Sequence, residues 1–321
     1  MKVSVVVPTY KRRGLLERCL GALAEQDFPR REFEILVADN AGENEIADLV
    51  DVFALENALE LRYVAAAAKR GPAFARNAGW RAARGDVIAF TDDDCIPDKN
   101  WLKEGYKVFA GDHRTAAATG KTVVPLSAAP TDYELNEAGL ARAEFITANC
   151  FVQRQVLEML GGFDERFTAA WREDSDLHFR LLERDLKIAR AGRARVVHPV
   201  RAARFGVSLG QQRKSMFDAL LYKKHPALFR RKIGFAPVNY YLLCAACAAA
   251  AGFAANGDFL FAPPAFLLWF FLTAEFCARR LRRTARTARH VSEMIVTSVL
   301  IPPVAVFWRL AGALRFRVLF F

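Results

Sequence analysis

Two acidic stretches of this chain carry residue types that could do chemistry. In FTDDDCIP an apolar run stops at Thr91, and Asp92, Asp93 and Asp94 follow at once; in WREDSDLH, Glu173, Asp174 and Asp176 open an amphipathic segment. Adjacent ionised carboxylates repel one another, and the end of a buried strand offers little water to screen them, so a divalent cation is the economical partner for the first stretch. Oxygen-only donors point to Mg2+ or Mn2+ rather than zinc, and such ions keep positions open for phosphate oxygens. The second stretch suits a general base, a carboxylate that takes the proton from an attacking hydroxyl. Each run also has a plainer reading, because Asp favours turns and N-caps and first-turn acids favour the helix dipole. On that reading the first run caps a helix beginning near Lys99, and the second caps a helix whose inner side carries Leu177, Leu181 and Leu182.

The elements that must position these acids follow from hydrophobic period. VSVVVP, FEILVADN, LELRYVAA and DVIAFTDDD read as strands, while LLERCLGALAEQ, EIADLVDVFALEN and GPAFARNAGWRAARG, ended by Gly85, have helical spacing or composition. Such alternation predicts a mostly parallel sheet with helices on both faces, whose ligands gather at the carboxyl ends of the strands. Three strand ends carry polar groups, namely Pro8-Thr9-Tyr10, Asp39-Asn40 and Asp92-Asp93-Asp94, and they are expected to share one crevice. VSVVVP is far shorter than a secretory apolar region, so it reads as a strand rather than a leader. His198, in RVVHP, ends a later strand.

The net charge of +11 could suggest nucleic acid, but its location argues otherwise. From Arg230 onward there are 12 Lys/Arg against three acids, so +9 of the +11 lies in the tail. There it alternates with apolar runs at 235–255, 259–278 and 291–312, a membrane pattern. The positive-inside rule sets the basic segments KKHPALFRRK and RRLRRTARTARH in the cytoplasm, and with them the amino-terminal domain, leaving Asn256 to Asp258 outside. Pro302-Pro303 interrupts the third run, which suits a segment lying along or re-entering the membrane as well as one crossing it. Six cysteines form no disulfide framework, and Cys244-x-x-Cys247 lies in an apolar run, so structural thiols in a reduced compartment are expected. The expected domains are 1–203 (a nucleotide-sugar half at 1–98 and an acceptor half at 99–203), an amphipathic linker helix at 204–234, and a membrane region at 235–321.

VSVVVPTYKR, VADN, GPAFARNAGW, FTDDDCIP, ITANCFVQRQVLEMLGGFDERF and WREDSDLHFRL occur in that order over about residues 2 to 200. In this order they resemble the family 2 inverting glycosyltransferases. The resemblance implies an α/β GT-A fold, a Rossmann-like mixed sheet with helices on both faces, followed here by C-terminal membrane helices. It also implies a nucleotide-diphosphosugar donor, a divalent metal (Mg2+ or Mn2+) and a sugar acceptor. Transferred residue by residue, it places the nucleotide against Pro8, Thr9, Tyr10 and Asp39, with Asp39 accepting from a pyrimidine ring N–H, hence a UDP-sugar. Arg76 and Asn77 can add bonds to base or diphosphate, or form an ordinary exposed helix face. Asp92 would touch ribose with Asp93 beside it, and Asp94 would ligate the metal. His198 is an extra ligand or a structural histidine, and Trp171 stacks on a sugar or merely packs. Asp174 would be the base, with Glu173 on an acceptor hydroxyl.

The segment Arg204 to Lys224 has Gln211, Gln212 and Arg213 without the Trp of the Q-x-x-R-W pattern of processive synthases, which favours transfer of a single sugar. The expected partners are the donor, a lipid-linked or cell-envelope glycan acceptor and the cytoplasmic membrane, with no nucleic acid. The rival readings are a polyprenyl-phosphate sugar synthase, whose ionised phosphate acceptor needs no base, and a non-catalytic glycan-binding or scaffold protein. No G-x-x-x-x-G-K-[ST] and no G-x-G-x-x-G is present, which disfavours an ATPase or dinucleotide enzyme.

Overall fold

A computed structural model describes residues 1–234 and 237–320. The chain divides into two units, one of residues 1–125 and 138–200, the other of residues 126–137 and 201–321. Among the described residues of the first unit lie β1 (Val3–Thr9), α1 (Arg13–Ala24), β2 (Phe33–Asp39), α2 (Asn44–Asn57), β3 (Leu61–Ala65), α3 (Pro72–Ala82) and β4 (Val87–Phe90). There follow β5 (Ile96–Pro97), α4 (Trp101–Gly111) and β6 (Thr115–Val123); α5 (Asp132–Glu137) belongs to the second unit. The first unit is completed by β7 (Cys150–Gln153), α6 (Arg154–Leu160), α7 (Glu173–Glu183) and β8 (Lys187–Val197).

The strands form one sheet in the order β3-β2-β1-β4-β7-β6-β8-β5. β3, β2, β1 and β4 are parallel neighbours, β7 runs antiparallel to both β4 and β6, and β8 is parallel to β6 and antiparallel to β5. The sheet is therefore mixed. Side chains alternate across it: Val3, Val5, Val7, Ile35 and Val37 pack with α1, α2 and α4, while Val6, Leu36, Ile88 and Phe90 pack with α3, α6 and α7. Helices thus cover both faces, which is why the central strands read as unbroken apolar runs. α3 ends at Ala82, three residues before Gly85, because Ala83 turns extended.

Glu34 departs from this apolar pattern, being fully buried within β2. It accepts hydrogen bonds from the Ser4 hydroxyl (2.7 Å), the Arg84 N–H (2.6 Å) and Nε (3.0 Å), and Arg62 Nη1 (3.1 Å). Burial works against its ionisation, but these donors outweigh it and hold the carboxyl below its ordinary range. Arg62 also donates to the Ala82 carbonyl (3.0 Å), so the cluster fastens the end of α3 to the sheet.

The second unit holds α8 (Val207–Gln211), a 3-10 turn (Gln212–Ser215), α9 (Met216–Lys224), α10 (Pro226–Lys232), α11 (Val238–Ala255), α12 (Ala262–Leu281) and α13 (Ala288–Phe316). The expected single linker helix over 204–234 is instead a series of short pieces, broken at His225-Pro226. Among the described residues, two helices suffice by length and composition to cross a membrane, Val238–Ala255 and Ala288–Phe316. The expected first span began at Phe235, which with Ala236 lies outside the described residues. α12, expected as a span at 259–278, is not among the two, because Glu275 and Arg279-Arg280 cut short its uncharged run. α13 runs unbroken through Pro302-Pro303, where an interruption was expected. Its neighbours α9 and α12 support it, and at Gly312 a Cβ would meet the Met216 carbonyl oxygen at 2.4 Å, so that crossing requires glycine.

Replacing Glu34 with alanine leaves the Ser4 hydroxyl and the Arg84 N–H without their acceptor. We expect a loss of about 3 kcal/mol of stability, read as a lowered melting temperature of the full chain. The carboxyl is depressed in the fold, so its contribution is present above the unfolded value of about 4 and is lost as pH falls below it. A melting difference between wild type and Glu34→Ala that does not shrink below about pH 4 would contradict this role.

Candidate active site

The parallel arrangement of β2, β1 and β4 brings the ends of three strands together. Thr9 closes β1 and donates its hydroxyl to Asp93 Oδ2 (2.8 Å). Arg12, leading into α1, lies 3.1 Å from Asp93 Oδ1 and 3.9 Å from Asp94 Oδ2. Arg76, from α3, donates Nη2 to Asp92 Oδ1 (2.7 Å) and Nη1 to Glu173 Oε1 (2.9 Å), with only 3% of its surface exposed. The two acidic stretches, 80 residues apart, therefore share one buried guanidinium. Its Nε is buried with no hydrogen-bond partner among the described residues.

The capping reading of the first run is not what the structure shows: α4 begins at Trp101 with Asn100 at its N-cap, while Asp92 and Asp93 face Arg76, Arg12 and Thr9. In the second run Glu173 turns to Arg76, while Asp174 accepts from the Ser175 N–H (2.6 Å) and, more weakly, the Ser175 hydroxyl (3.3 Å), and Asp176 accepts from Arg180 Nε one turn on in the same helix (2.8 Å). Arg172 takes a left-handed conformation (φ 75°) and sets its guanidinium over the Trp171 ring at 4.5 Å. Trp171 is 38% exposed and Tyr10 42%, so both present open aromatic surface.

Concentrating acids here displaces their acidities. Burial, reinforced by Asp94 and Asp92 and opposed by Arg12, pushes Asp93 up to about 6. Burial likewise raises Glu173 to about 7 against the pull of Arg76, and raises Asp174 against its Ser175 and arginine contacts. The Arg76 guanidinium, although buried, is held protonated by Asp92 and Glu173.

Asp94, Cys95 and His198 offer donor atoms within 4.8 Å of one another, and His198 Nε2 lies 3.4 Å from Asp94 Oδ1. Burial lifts the Cys95 thiol well above its ordinary value. His198 Nδ1 is buried without a partner. A carboxylate with an imidazole suits Mn2+ or Mg2+ better than a thiolate-seeking ion.

Two expected contacts are occupied elsewhere. Asp39 is fully buried and accepts from the N–H groups of Ala41 (2.8 Å) and Glu43 (2.7 Å) and from the Tyr63 hydroxyl (3.2 Å), which shapes the start of α2. Asn77 is turned the same way: its amide nitrogen donates to the Phe163 carbonyl (2.8 Å) and Glu165 (3.0 Å). Its oxygen accepts from Trp80 Nε1 and the Phe163 N–H, both at 2.8 Å. It is a fastening for the 161–165 turn. There Gly162 (φ 72°) has room for no side chain, since a Cβ would meet the Asn77 oxygen at 2.4 Å. Pro8 is buried in β1. Arg12 was missed. Asn40, expected at the crevice, donates to the Ala66 and Lys69 carbonyls (2.5 and 2.7 Å) and accepts from the Gly71 N–H (2.8 Å), which sets the entry to α3.

Residues 4–150 match the family model described as Glycosyl transferase family 2. Glycosyltransferase AglE of Haloferax volcanii is 26% identical over 244 residues, 70% of this chain and 78% of its own. The poly(ribitol-phosphate) beta-N-acetylglucosaminyltransferase TarS of Staphylococcus aureus is 33% identical over 116 residues, but these are 36% of this chain and only 20% of that one. The structure of TarS 1-349 in complex with UDP-GlcNAc has a TM-score of 0.51 at 18% identity, covering 97% of this chain and 92% of that one. Mannosyltransferase PcManGT from Pyrobaculum calidifontis, in complex with GDP-Man and Mn2+, has a TM-score of 0.57 at 21% identity, covering 98% and 87%. The mixed sheet with its helices is the GT-A fold of these transferases.

If Asn77 fastens the turn, Asn77→Ala destabilises the full chain by about 2 to 4 kcal/mol, since it leaves the Trp80 and Phe163 donors buried and unpaired. Nucleotide affinity of the folded protein, measured by titration below its melting temperature, is expected to stay within about twofold of wild type. A large loss of affinity at unchanged melting temperature would return Asn77 to the nucleotide.

Proposed function

The chain carries a glycosyltransferase family 2 domain, and from that premise we propose a membrane-anchored, metal-dependent, inverting transferase that moves one sugar from a UDP-sugar to a hydroxyl of a lipid-linked or cell-envelope glycan. The observation that carries the reading is the buried Arg76, which holds Asp92 from the first acidic stretch and Glu173 from the second. It supports two acidic centres with separate tasks in one site. The first receives the donor: Asp92 faces the ribose, and Asp94 with His198 would hold Mn2+ or Mg2+. Such an ion, when bound, supplies positive charge against the leaving diphosphate. The structure of PcManGT in complex with both Mn2+ and a nucleotide sugar, GDP-Man, supports a divalent metal here.

The second centre receives the acceptor. The acceptor hydroxyl oxygen attacks the anomeric carbon on the face opposite the diphosphate, Asp174 takes the hydroxyl proton, and the bond to the diphosphate oxygen breaks with its electron pair leaving on the nucleoside diphosphate. Burial makes Asp174 a stronger base than an exposed aspartate, as a proton acceptor near neutral pH requires. Glu173, paired with Arg76, would orient the acceptor, and Trp171 offers a face for a sugar ring. TarS, named for transfer to poly(ribitol-phosphate) and solved with UDP-GlcNAc, supports a hydroxyl acceptor and a uridine donor. A phosphate acceptor, already ionised, would leave Asp174 without a task.

Asp174→Asn preserves volume and helix start but removes the base. Transfer is expected to fall by about 10²- to 10⁴-fold, with UDP affinity kept. Wild-type transfer is expected to decline as pH falls through the raised carboxyl acidity, a limb that Asp174→Asn lacks. Asp94→Asn, or EDTA added to wild type, is expected to weaken UDP binding itself. Single-turnover rates and UDP titrations on both variants separate these outcomes; near wild-type transfer by Asp174→Asn would refute the base and favour the phosphate acceptor.

We further infer a cytoplasmic face for the catalytic unit from the arginines of 279–289, with α11 leading out to Asn256–Asp258 and the apolar α12 returning, although its charges shorten its uncharged run. A reporter fused after Asp258 is expected outside and one near Arg286 inside; the reverse pattern would overturn this orientation.

A further inference from the structure

Within the second unit, a cavity of about 650 Å3 is lined by Asp132, Pro237–Tyr240, Leu243, Phe276, Arg279 and Arg280. It lies at the start of α11 and the end of α12, where apolar helices meet the run RRLRRTARTAR, six arginines and no acid. Neither the cavity nor its arginines has a part in the sugar transfer described above.

Its polar groups are arranged for an anion. Arg280, with 9% of its side chain exposed, is immobilised by Asp132 (Nη2–Oδ2 2.8 Å, Nε–Oδ2 3.2 Å), the Thr297 hydroxyl (2.7 Å) and the Ser298 hydroxyl (3.1 Å). Asp132 neutralises it, so Arg279 is the cation with charge to offer. The partner of Arg279 is Glu275, one turn back at 2.8 Å, in a pair with 42% and 57% of the side chains exposed. Such an exposed pair is weak and readily exchanged for a doubly acceptor-rich phosphate. Tyr240 and Asn239 add side-chain donors, and both lie in the first turn of α11, at the positive end of an 18-residue dipole. Beside these groups the surface is apolar: Val238 lines the cavity and is 58% exposed, and Leu242, Phe266, Phe270 and Phe271 are half exposed or more on the same two helices.

We propose that this cavity binds the phosphate group of a membrane lipid, with Arg279, Tyr240 and Asn239 on the phosphate oxygens and the lipid chain on the apolar surface of α11 and α12. The proposal rests on the reading of the enzyme as one that works at a membrane on lipid-linked acceptors, and names the element that would hold such a lipid by its charged end.

The test is binding to the full-length protein in detergent, with neither sugar donor nor sugar acceptor present. The probes are a polyprenyl monophosphate, phosphatidic acid, the corresponding polyprenol and inorganic phosphate. At least one of the two lipid phosphates is expected to bind about tenfold or more tightly than polyprenol or inorganic phosphate, and which of them does so identifies the source of the phosphate. Arg279→Gln and Tyr240→Phe are each expected to weaken that binding severalfold or more. Arg282→Gln with Arg283→Gln removes charge from the same basic run at exposed positions outside the cavity and is expected to leave it within about twofold. Equal binding of polyprenol, equal binding of inorganic phosphate, or a loss from Arg282→Gln/Arg283→Gln as large as that from Arg279→Gln would overturn the proposal. Because no transfer is measured, such a result leaves the transferase reading standing. Conversely, phosphate-dependent lipid binding in a protein that transfers no sugar would sink that reading and spare the cavity.

Discussion

One buried guanidinium connects everything the site requires. Arg76, almost without water contact, donates to both Asp92 and Glu173, and the buried Glu173 without it would be a charge in a poor dielectric. Its place in α3 depends on the entry to that helix, which Asn40 sets by binding the carbonyls of Ala66 and Lys69 and the N–H of Gly71, and on the exit, which Arg62 and Glu34 fasten to the sheet. Asn77, next in the same helix, pins the turn at Gly162–Glu165. The rigidity of the site is thus a property of α3 and its two anchored ends. Arg12 performs the corresponding task at the other end of the acidic run, where Asp93 and Asp94 lie close together.

Much of the first unit was legible because parallel strands buried on both faces must be continuous apolar runs, and their polar ends mark the crevice. β6 went unassigned because TAAATGKTV lacks large apolar residues; its alanines are chosen by close packing, not by hydrophobic bulk. Arg76 and Asn77 read as a single polar pair, yet consecutive helical residues point about 100° apart, and the structure sends one to the acids and the other to a distant turn. Arg12 had a signal that went unused, a basic run directly after β1, the strand that neighbours the one leading to three aspartates.

The boundary between units shows the opposite limit. Thr131 and Glu134 form a capping box, with the Thr131 N–H and hydroxyl donating to Glu134 (2.7 and 2.9 Å) and the Glu134 N–H returning to the hydroxyl (3.2 Å). That start of α5 is local and can be read from spacing. Its membership of the second unit cannot, because it rests on Arg280, 148 residues further on. Contacts of such separation leave no periodic trace in the segments that make them.

That separation also orders events during synthesis. A chain emerging from its amino end completes Asp132 long before Arg280 exists, so α5 gains this ion pair only after β7, α6, α7 and β8 have been made. The excursion joins its unit only when α12 has been translated. The last turns of α12 therefore decide when residues 126–137, near the middle of the chain, gain their partner, and a ribosome that stops before residue 280 releases α5 without it.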